Sequence, residues 1–340
     1  MGASSARRAG DKLSPPRPAK FDTGFSNSFC APDLLSPGAG LPLNSGVQWK
    51  KVTLVGVGLL GGSLGLALRE RHLAREVVGF VRRPASLNEC QRTGAVDRAT
   101  LDLADAVAGA DLIVFCTPLA QMTALAGQML GSLRRGAVVA DVGSVKAGVV
   151  RELEPLLARA GVHFVGSHPM AGSEKTGVLA SRVDLFQDAV CVVTPTRRTP
   201  RGPLTKVKRL WRDVGGRVLV LDPRAHDVLV SRSSHLPHFL AAALASHVLE
   251  PRAARELSQL CAGGFRDTTR IASSSVEMWR DIALANRRNL SHELGVLAKA
   301  LLAVQRKLDR ADAPGIEQFL ATARTRRDAW MAGAKGYSTE

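Results

Sequence analysis

Long apolar runs are missing from this 340-residue chain. No uninterrupted stretch reaches the roughly 18 apolar residues that would indicate a membrane-spanning helix. The longest candidate, residues 236–249, contains His238, Ser246 and His247, and a segment with these polar interruptions is typical of a buried helix. The sequence therefore predicts no insertion into a membrane.

Cysteines are few and scattered. The chain has five of them, an odd number, and no two form a C-x-x-C pair. Zinc sites and disulfide frameworks need closely or regularly spaced cysteines, so neither is indicated and no metal is expected. This cysteine usage favours a reducing, cytoplasmic setting.

Acidic residues are outnumbered by basic ones, with 30 Asp and Glu against 46 Lys and Arg and a formal net charge of +16. A charge of this size makes a nucleic-acid partner worth considering. The excess is spread along the chain, however, and its densest stretch, 197–212, lies between two strand-like runs, as a loop and a solvated helix face would. We therefore expect a generally basic surface that favours anionic metabolites, and no nucleic-acid partner.

Residues 1–48 are rich in Ser, Pro, Gly and Ala and show no sustained periodicity, which predicts a disordered extension. Arg7, Arg8 and several serines give this segment a faint resemblance to an organelle transit peptide, which makes a plastid the lesser alternative to the cytoplasm. No apolar segment follows these arginines, which argues against a secretory signal.

Residues 49–222 alternate short apolar runs with segments of helical length. This alternation predicts βαβ units, and hence an α/β dinucleotide-binding domain built on a Rossmann-type doubly wound parallel sheet with both faces covered. The strand-like runs lie at 51–56, 76–81, 112–116, 137–142, 163–166, 190–194 and 218–221.

Residues 223–330 carry no strand pattern and predict an all-helical C-terminal domain for substrate binding and dimerisation. Apolar residues recur there at steps of three and four, which is one face of a long helix. A stripe this regular needs a partner helix, from this chain or from a second subunit, and favours a homodimer. Its members are Leu290, Leu294, Leu297, Leu301, Val304 and Leu308.

Gly56, Gly58 and Gly61 form a G-x-G-x-x-G motif directly between the first strand and the first helix. The first glycine permits the tight turn, the second lets the backbone approach a pyrophosphate, and the third lets the helix pack closely on the strand. The strand–turn–helix context makes this a predicted dinucleotide site, which Leu59 and Leu60 in the same loop also help to form.

The end of the second strand bears on the choice of cofactor. An acidic residue there would bind the ribose 2′-hydroxyl of NAD, but the sequence has Arg82 and Arg83, with no carboxylate before Glu89. Two guanidinium groups suit a 2′-phosphate, which favours NADP over NAD. We expect Thr117 and Pro118, after the next apolar run, to contact the same cofactor.

Two polar side chains follow the later strands. His168 comes at the end of the predicted strand at 163–166, where a following proline and glycine would hold it on a turn facing the cleft. An imidazole with a pKa near 6.5 suits proton abstraction close to neutral pH. Ser144 follows the strand before, within DVGSVK, and is expected to place a hydroxyl at the equivalent end, beside the cofactor.

Six motifs in order resemble those of the prephenate/arogenate (cyclohexadienyl) dehydrogenases, and the resemblance spans about residues 51–310. They are GVGLLGGS at 56–63, DVGSVK at 141–146, HPMAGSEKTG at 168–177, SHLPH at 234–238, GGFRDTTR at 263–270 and MWRDI at 278–282.

The resemblance implies an oxidative decarboxylation in tyrosine biosynthesis. His168 would accept the proton of the substrate's ring hydroxyl, oriented by Ser144, while the ring carbon delivers hydride to NAD(P) and the carboxylate leaves as CO₂. Arg270 would bind a substrate carboxylate with His238 nearby. No metal is required by this chemistry.

The resemblance also implies a set of residues at the mouth of the site. Ser173 and Glu174 would contact the substrate, with Glu174 as a gate or polar organiser, and Trp279 would reach across a subunit interface. Two alternatives stay open. One is another enzyme of this layout, a β-hydroxyacid dehydrogenase or an imine reductase. The other is a non-catalytic nucleotide-sensing or nucleic-acid-binding protein.

Overall fold

The fold is given by a computed structural model that describes residues 47–250 and 255–336. The extension predicted at 1–48 lies outside the described residues, apart from Val47 and Gln48. No helix within the described ranges has the length and apolarity required to cross a membrane.

One eight-stranded sheet, in the order β3-β2-β1-β4-β5-β6-β7-β8, organises the first part of the chain. Its strands are β1 (Trp49–Val55), β2 (Ala74–Phe80), β3 (Arg98–Thr100), β4 (Leu112–Phe115), β5 (Val138–Asp141), β6 (His163–Pro169), β7 (Val190–Thr194) and β8 (Arg217–Val220). The first six strands run parallel in the doubly wound order, which confirms the Rossmann-type prediction.

Thirteen α-helices lie within the described ranges. Those connecting the strands are α1 (Leu59–Glu70), α2 (Pro84–Thr93), α3 (Leu103–Val107), α4 (Leu119–Met129), α5 (Ala147–Ala158) and α6 (Arg201–Asp213). Those after the sheet are α7 (Pro223–Val230), α8 (Leu236–Val248), α9 (Arg255–Leu260), α10 (Gly263–Thr269), α11 (Val276–Ala285), α12 (Arg287–Asp309) and α13 (Ala313–Gly336).

Both faces of the sheet are covered by helices, and each face has its own apolar core. Residues of α1, α2 and α6 form one core with alternate strand residues such as Val52 and Leu54. Residues of α3, α4 and α5 form the other core, with Val55. Strands covered on both faces are apolar at nearly every position, which is why the sequence shows continuous runs there.

The sheet differs from the prediction at β7, which runs antiparallel to β6, with β8 parallel to β7. A parallel neighbour requires a crossover, usually a helix. The segment between β6 and β7 contains only a single 3₁₀ turn, Val178–Ala180, so the chain returns antiparallel. The sequence did not predict β3, because three residues are too few to show a periodic pattern.

A π-helical turn, Ser231–His235, joins α7 to α8 without a break. Pro237 lies in the first turn of α8, where it has no N–H to donate and where its ring crowds the preceding turn. The wider π turn accommodates this crowding, and turns of this kind recur at functional sites. It carries His235 into the interior, where the side chain is 1% exposed.

Candidate active site

The glycine loop has the geometry that its motif predicts. Gly56 has φ +98°, and a side chain there would lie 2.9 Å from a Thr117 methyl carbon. A side chain at Gly61 would lie 2.1 Å from the carbonyl oxygen of Gly56, whereas one at Gly58 would meet nothing within 4 Å. Gly56 and Gly61 thus serve the turn and the packing of α1, and Gly58 faces open space.

A cavity of about 220 Å³ opens beside this loop, lined by residues that include Gly58, Arg82, Arg83, Thr117 and Pro118. Leu59 and Leu60 form the first turn of α1 and are partly exposed at its edge. No side chain caps α1, so its first N–H groups are available to a phosphate.

Two polar atoms in this cavity fit a bound nucleotide. Thr117 Oγ1 and Gln121 Oε1 are buried and have no hydrogen-bond partner among the described residues. Buried polar atoms are normally paired, so these two are available to a ligand. Arg82 and Arg83 lie at the rim, both exposed, with a guanidinium nitrogen of Arg83 3.7 Å from a carboxylate oxygen of Glu89.

His168 lies inside β6, paired with Val192, and not on the turn that the sequence predicted. Its side chain is buried, and its Nδ1 atom is 2.9 Å from Nε2 of His226. Burial lowers the pKa of His168 well below 6.5, and the neighbouring His226 and Lys146 lower it further. The imidazole is therefore neutral at physiological pH and able to accept a proton.

His226 and Asp227 lie on the buried face of α7. His226 contacts His168, and Asp227 in turn contacts His226. Nδ1 of His226 lies 2.8 Å from Oδ1 of Asp227. The Asp227 carboxylate accepts hydrogen bonds from the backbone N–H groups of Lys146 (2.7 Å) and Ala147 (2.9 Å), where α5 begins. A carboxylate at this end of a helix is favoured by the helix dipole.

An ion pair between Asp141 and Lys146 lies under the loop that carries Ser144, and both side chains are fully buried. Lys146 Nζ also donates to the carbonyl of Ser167 at 2.8 Å, and the backbone N–H of Ser167 donates to Asp141 at 3.0 Å. Burial lowers the pKa of Lys146, and Asp141 opposes this shift. The cluster fixes the Ser144 loop to the strand that carries His168.

Ser144 itself is partly exposed, and its side chain makes no hydrogen bond within the described part of the chain. The structure does not join it to His168 directly. Its roles in catalysis and cofactor binding stay predictions.

His235 and His238 lie next to Trp279. The Trp279 ring stacks on His238 with centroids 3.5 Å apart, and it meets His235 edge-on at 6.0 Å. Burial lowers the pKa of both histidines, that of His235 to about 4, although Asp227 and the backbone of Ser144 oppose the shift at His235. His235 Nε2 and His238 Nδ1 are buried and lack a hydrogen bond of ordinary geometry among the described residues.

Arg270 and Glu174 form an ion pair of 3.2 Å at an open cavity of about 480 Å³. Their side chains are 62% and 38% exposed, so the ion pair lies at the surface. Ser173 is exposed beside them and accepts a hydrogen bond from the backbone of Lys175. Within the described residues, no hydrogen bond or ion pair links this group to His168.

No cluster of three or more His, Cys, Asp or Glu side chains within residues 47–250 and 255–336 could hold a metal ion.

Comparison with known proteins gives the family. The model of the prephenate dehydrogenase nucleotide-binding domain matches residues 64–220, and that of the prephenate dehydrogenase dimerization domain matches residues 222–322. Together they account for well over half of the chain. The chain belongs to the prephenate dehydrogenase family.

Individual members of the family agree with this. The chain is 31% identical to prephenate dehydrogenase of Bacillus subtilis, over 84% of this chain and 77% of that protein. It is 32% identical to cyclohexadienyl dehydrogenase of Zymomonas mobilis, over 70% of this chain and 81% of that protein. Prephenate dehydrogenase from A. aeolicus, solved in complex with hydroxyphenyl propionate and NAD⁺, superimposes with a TM-score of 0.77 at 33% identity, covering 82% and 98% of the two chains.

Membership in this family makes the chain a nicotinamide-dependent dehydrogenase. Sequence reasoning had identified the family but missed His226 and Asp227. The sequence did contain a signal for them, which is the three-and-four spacing of the residues on the buried face of α7. These residues are Pro223, His226, Asp227 and Val230. A histidine and an aspartate on a buried stripe indicate a paired, fixed polar group.

Proposed function

We propose that this protein oxidatively decarboxylates prephenate or arogenate, with hydride transfer to NAD(P), in tyrosine biosynthesis. The observation that carries the proposal is the buried, neutral His168 at the carboxyl end of β6, the edge of the sheet at which the glycine loop also lies. Ligands of open α/β sheets bind at this edge.

In this mechanism His168 accepts the proton of the substrate's ring hydroxyl. The nicotinamide, when bound, supplies the hydride acceptor. Departure of the ring carboxylate as CO₂ makes the ring aromatic, which drives the reaction forward. Because His168 is neutral and excluded from water, it is in the correct state to take the proton.

Substrate recognition is assigned to the helical side of the site. Arg270 binds a substrate carboxylate once it leaves Glu174, and both the guanidinium and the mouth are accessible enough for this exchange. His238, held by its stack on Trp279, presents an unpaired ring nitrogen to the substrate's side chain. Ser173 completes the mouth. The A. aeolicus complex with hydroxyphenyl propionate and NAD⁺ supports a site for a ring acid and a nicotinamide cofactor.

NADP is the proposed preferred cofactor. Arg82 and Arg83 stand at the rim of the nucleotide cavity, and the one carboxylate near them, Glu89, is 3.7 Å from Arg83. If Arg82 binds a 2′-phosphate, Arg82→Gln lowers kcat/KM for NADP⁺ about tenfold and leaves that for NAD⁺ near wild type. Arg75→Gln, at the opposite end of β2, is the matched control.

A homodimer formed through the helical region is the proposed assembly. Two observations support it: the match of residues 222–322 to a dimerization domain, and the exposure of Leu294, Leu301 and Leu308 along α12. Exposed apolar stripes of this length mark interfaces.

The experiment is steady-state turnover of prephenate and of arogenate, each with NAD⁺ and NADP⁺, followed by absorbance of the reduced cofactor. A β-hydroxyacid substrate is the control. We expect reduced cofactor with at least one of the two ring acids and none with the β-hydroxyacid. Turnover of the β-hydroxyacid alone would refute the proposed function, and so would binding of nucleic acid in the absence of any turnover.

A further inference from the structure

We infer that His226 and Asp227 are positioning residues for His168, a chain of two hydrogen bonds that holds the lone pair of His168 Nε2 toward the reacting substrate. The inference rests on the proposed function for the identity of that substrate.

The two contacts of the chain are short and buried. His168 Nδ1 to His226 Nε2 is 2.9 Å, and His226 Nδ1 to Asp227 Oδ1 is 2.8 Å. The three residues are 6%, 0% and 3% exposed, so water does not compete for either contact.

The order of donors follows from the carboxylate. An ionised aspartate only accepts hydrogen bonds, so Nδ1 of His226 must carry a hydrogen. A neutral His226 then has its lone pair on Nε2, and His168 must donate to it from Nδ1. Nε2 of His168 is left with the lone pair and is the only nitrogen of that ring able to take a proton.

Asp227 is itself held by hydrogen bonds from two other parts of the fold, the start of α5 and Asn286. Backbone N–H groups of Lys146 and Ala147 donate to its two carboxylate oxygens, and the Asn286 side chain donates to its carbonyl at 2.7 Å. The carboxylate therefore has no freedom to rotate away from His226, and the orientation passes to His168.

The two hydrogen bonds also help to stabilise the positive charge that His168 acquires when it takes a proton. Burial disfavours a positive charge on His168, and so do His226, Lys146 and His235; Asp141 is occupied by its ion pair with Lys146. When His168 takes the substrate proton on Nε2, its Nδ1–H already points to His226, whose own Nδ1–H points to the carboxylate. The new charge is stabilised along two existing hydrogen bonds, and no proton has to leave the chain.

Two substitutions of His226 separate positioning from packing. His226→Phe keeps a ring of similar shape but neither accepts from His168 nor donates to Asp227. His226→Gln offers an amide oxygen and an amide N–H that can do both. We expect His226→Phe to lower kcat about 100-fold or more with KM changed less than about threefold, and His226→Gln to recover at least about tenfold of that loss.

The control is His247→Phe, an exposed histidine of α8, which should match wild type in kcat. Nucleotide affinity and the thermal unfolding midpoint are measured for all three variants. A kcat within threefold of wild type in a folded His226→Phe would overturn the inference. So would a glutamine variant no better than the phenylalanine one, or a loss of kcat matched by loss of nucleotide binding.

Nitrogen-15 NMR of the imidazoles in the full chain tests the geometry without turnover. His168 should be neutral at pH 7, and both His168 and His226 should carry a hydrogen on Nδ1, assigned from the His168→Asn and His226→Gln variants. A hydrogen on Nε2 of either ring would overturn the inference. Correct tautomers in a protein that oxidises neither ring acid would leave the chain of hydrogen bonds standing and refute the proposed function instead.

Discussion

The sheet region (47–220) and the helical region (223–336) bury their apolar side chains to very different extents. In the sheet region, apolar side chains fill a core on each face of the sheet. In the helical region, the buried aliphatic side chains among the described residues are Val230, Ala241, Ile282 and Leu290. Large apolar side chains are exposed there instead, among them Leu260 (77%), Val276 (84%), Leu308 (60%) and Trp330 (64%).

This difference indicates that a single chain covers the apolar side chains of the sheet region but leaves those of the helical region uncovered. Fully burying an aliphatic side chain contributes about 1.5–3 kcal/mol, and the helices after α8 obtain little of this from their own chain. The two regions also divide the chemistry. His168 is fixed inside the sheet, whereas Arg270 stands exposed at the mouth. We therefore expect His168, together with His226 and Asp227 beside it, to govern kcat, and the exposed helices after α8 to govern KM and assembly.

The largest expected effect is on turnover. His168→Asn removes the base, so kcat should fall by about 100- to 10,000-fold while nucleotide affinity stays near wild type. The matched control is His163→Asn, at the opposite end of β6, which should keep wild-type kcat. A near-normal kcat in the first variant would remove His168 from the mechanism and break the proposed division of labour.

The next effect concerns assembly. Leu301→Glu places a charge on the exposed stripe of α12, and burying an unpaired charge in an interface is costly, so the dimer should dissociate at micromolar concentration. Leu219→Glu, on the outer strand β8 and similarly exposed, should leave the mass unchanged. Light scattering of both variants checks this. A wild-type protein that is already monomeric would contradict the inference that a second subunit covers the helical region.

A smaller effect is expected on substrate affinity. Arg270→Gln removes the charge that binds a carboxylate, and KM for the ring acid should rise about tenfold with little change in kcat. Arg306→Gln, an exposed arginine of α12, serves as the control in steady-state kinetics. An unchanged KM would make the Arg270–Glu174 ion pair structural only.

The smallest effect is the dependence of stability on pH. The pKa of His235 falls from 6.5 to about 4 on folding, so between these values the unfolded chain binds a proton that the folded chain does not. The contribution of His235 to the free energy of unfolding is complete above pH 6.5 and is lost as the pH falls toward 4. Between pH 7 and 5, wild type should lose about 2 kcal/mol more than His235→Gln in urea unfolding. Equal losses would show that His235 titrates normally.

The sheet region was predictable because its signals are local. Each strand is buried on both faces and appears as a continuous apolar run, and the glycine loop has a fixed place between β1 and α1. The antiparallel β7 was not predictable from its own residues, which resemble those of a parallel strand. Its direction depends on the missing crossover helix before it.

The site was predictable only in part. His168 stands in a distinctive motif, but its partners come from a helix 58 residues later in the chain. Asp141 and Lys146 were visible within one motif, yet nothing in their spacing shows that both side chains turn into the interior and pair there. Such pairings depend on where the chain folds back, and a local pattern does not record that.

By itself, the sequence determined the α/β order of elements, the nucleotide loop, the family and the histidine that is proposed as the base. Each of these follows from residue types at short spacing. The tertiary structure alone brought His226 and Asp227 into contact with the His168 ring and left one apolar stripe uncovered. These depend on contacts between distant segments, because an imidazole takes its hydrogen-bonding state from its neighbours in space.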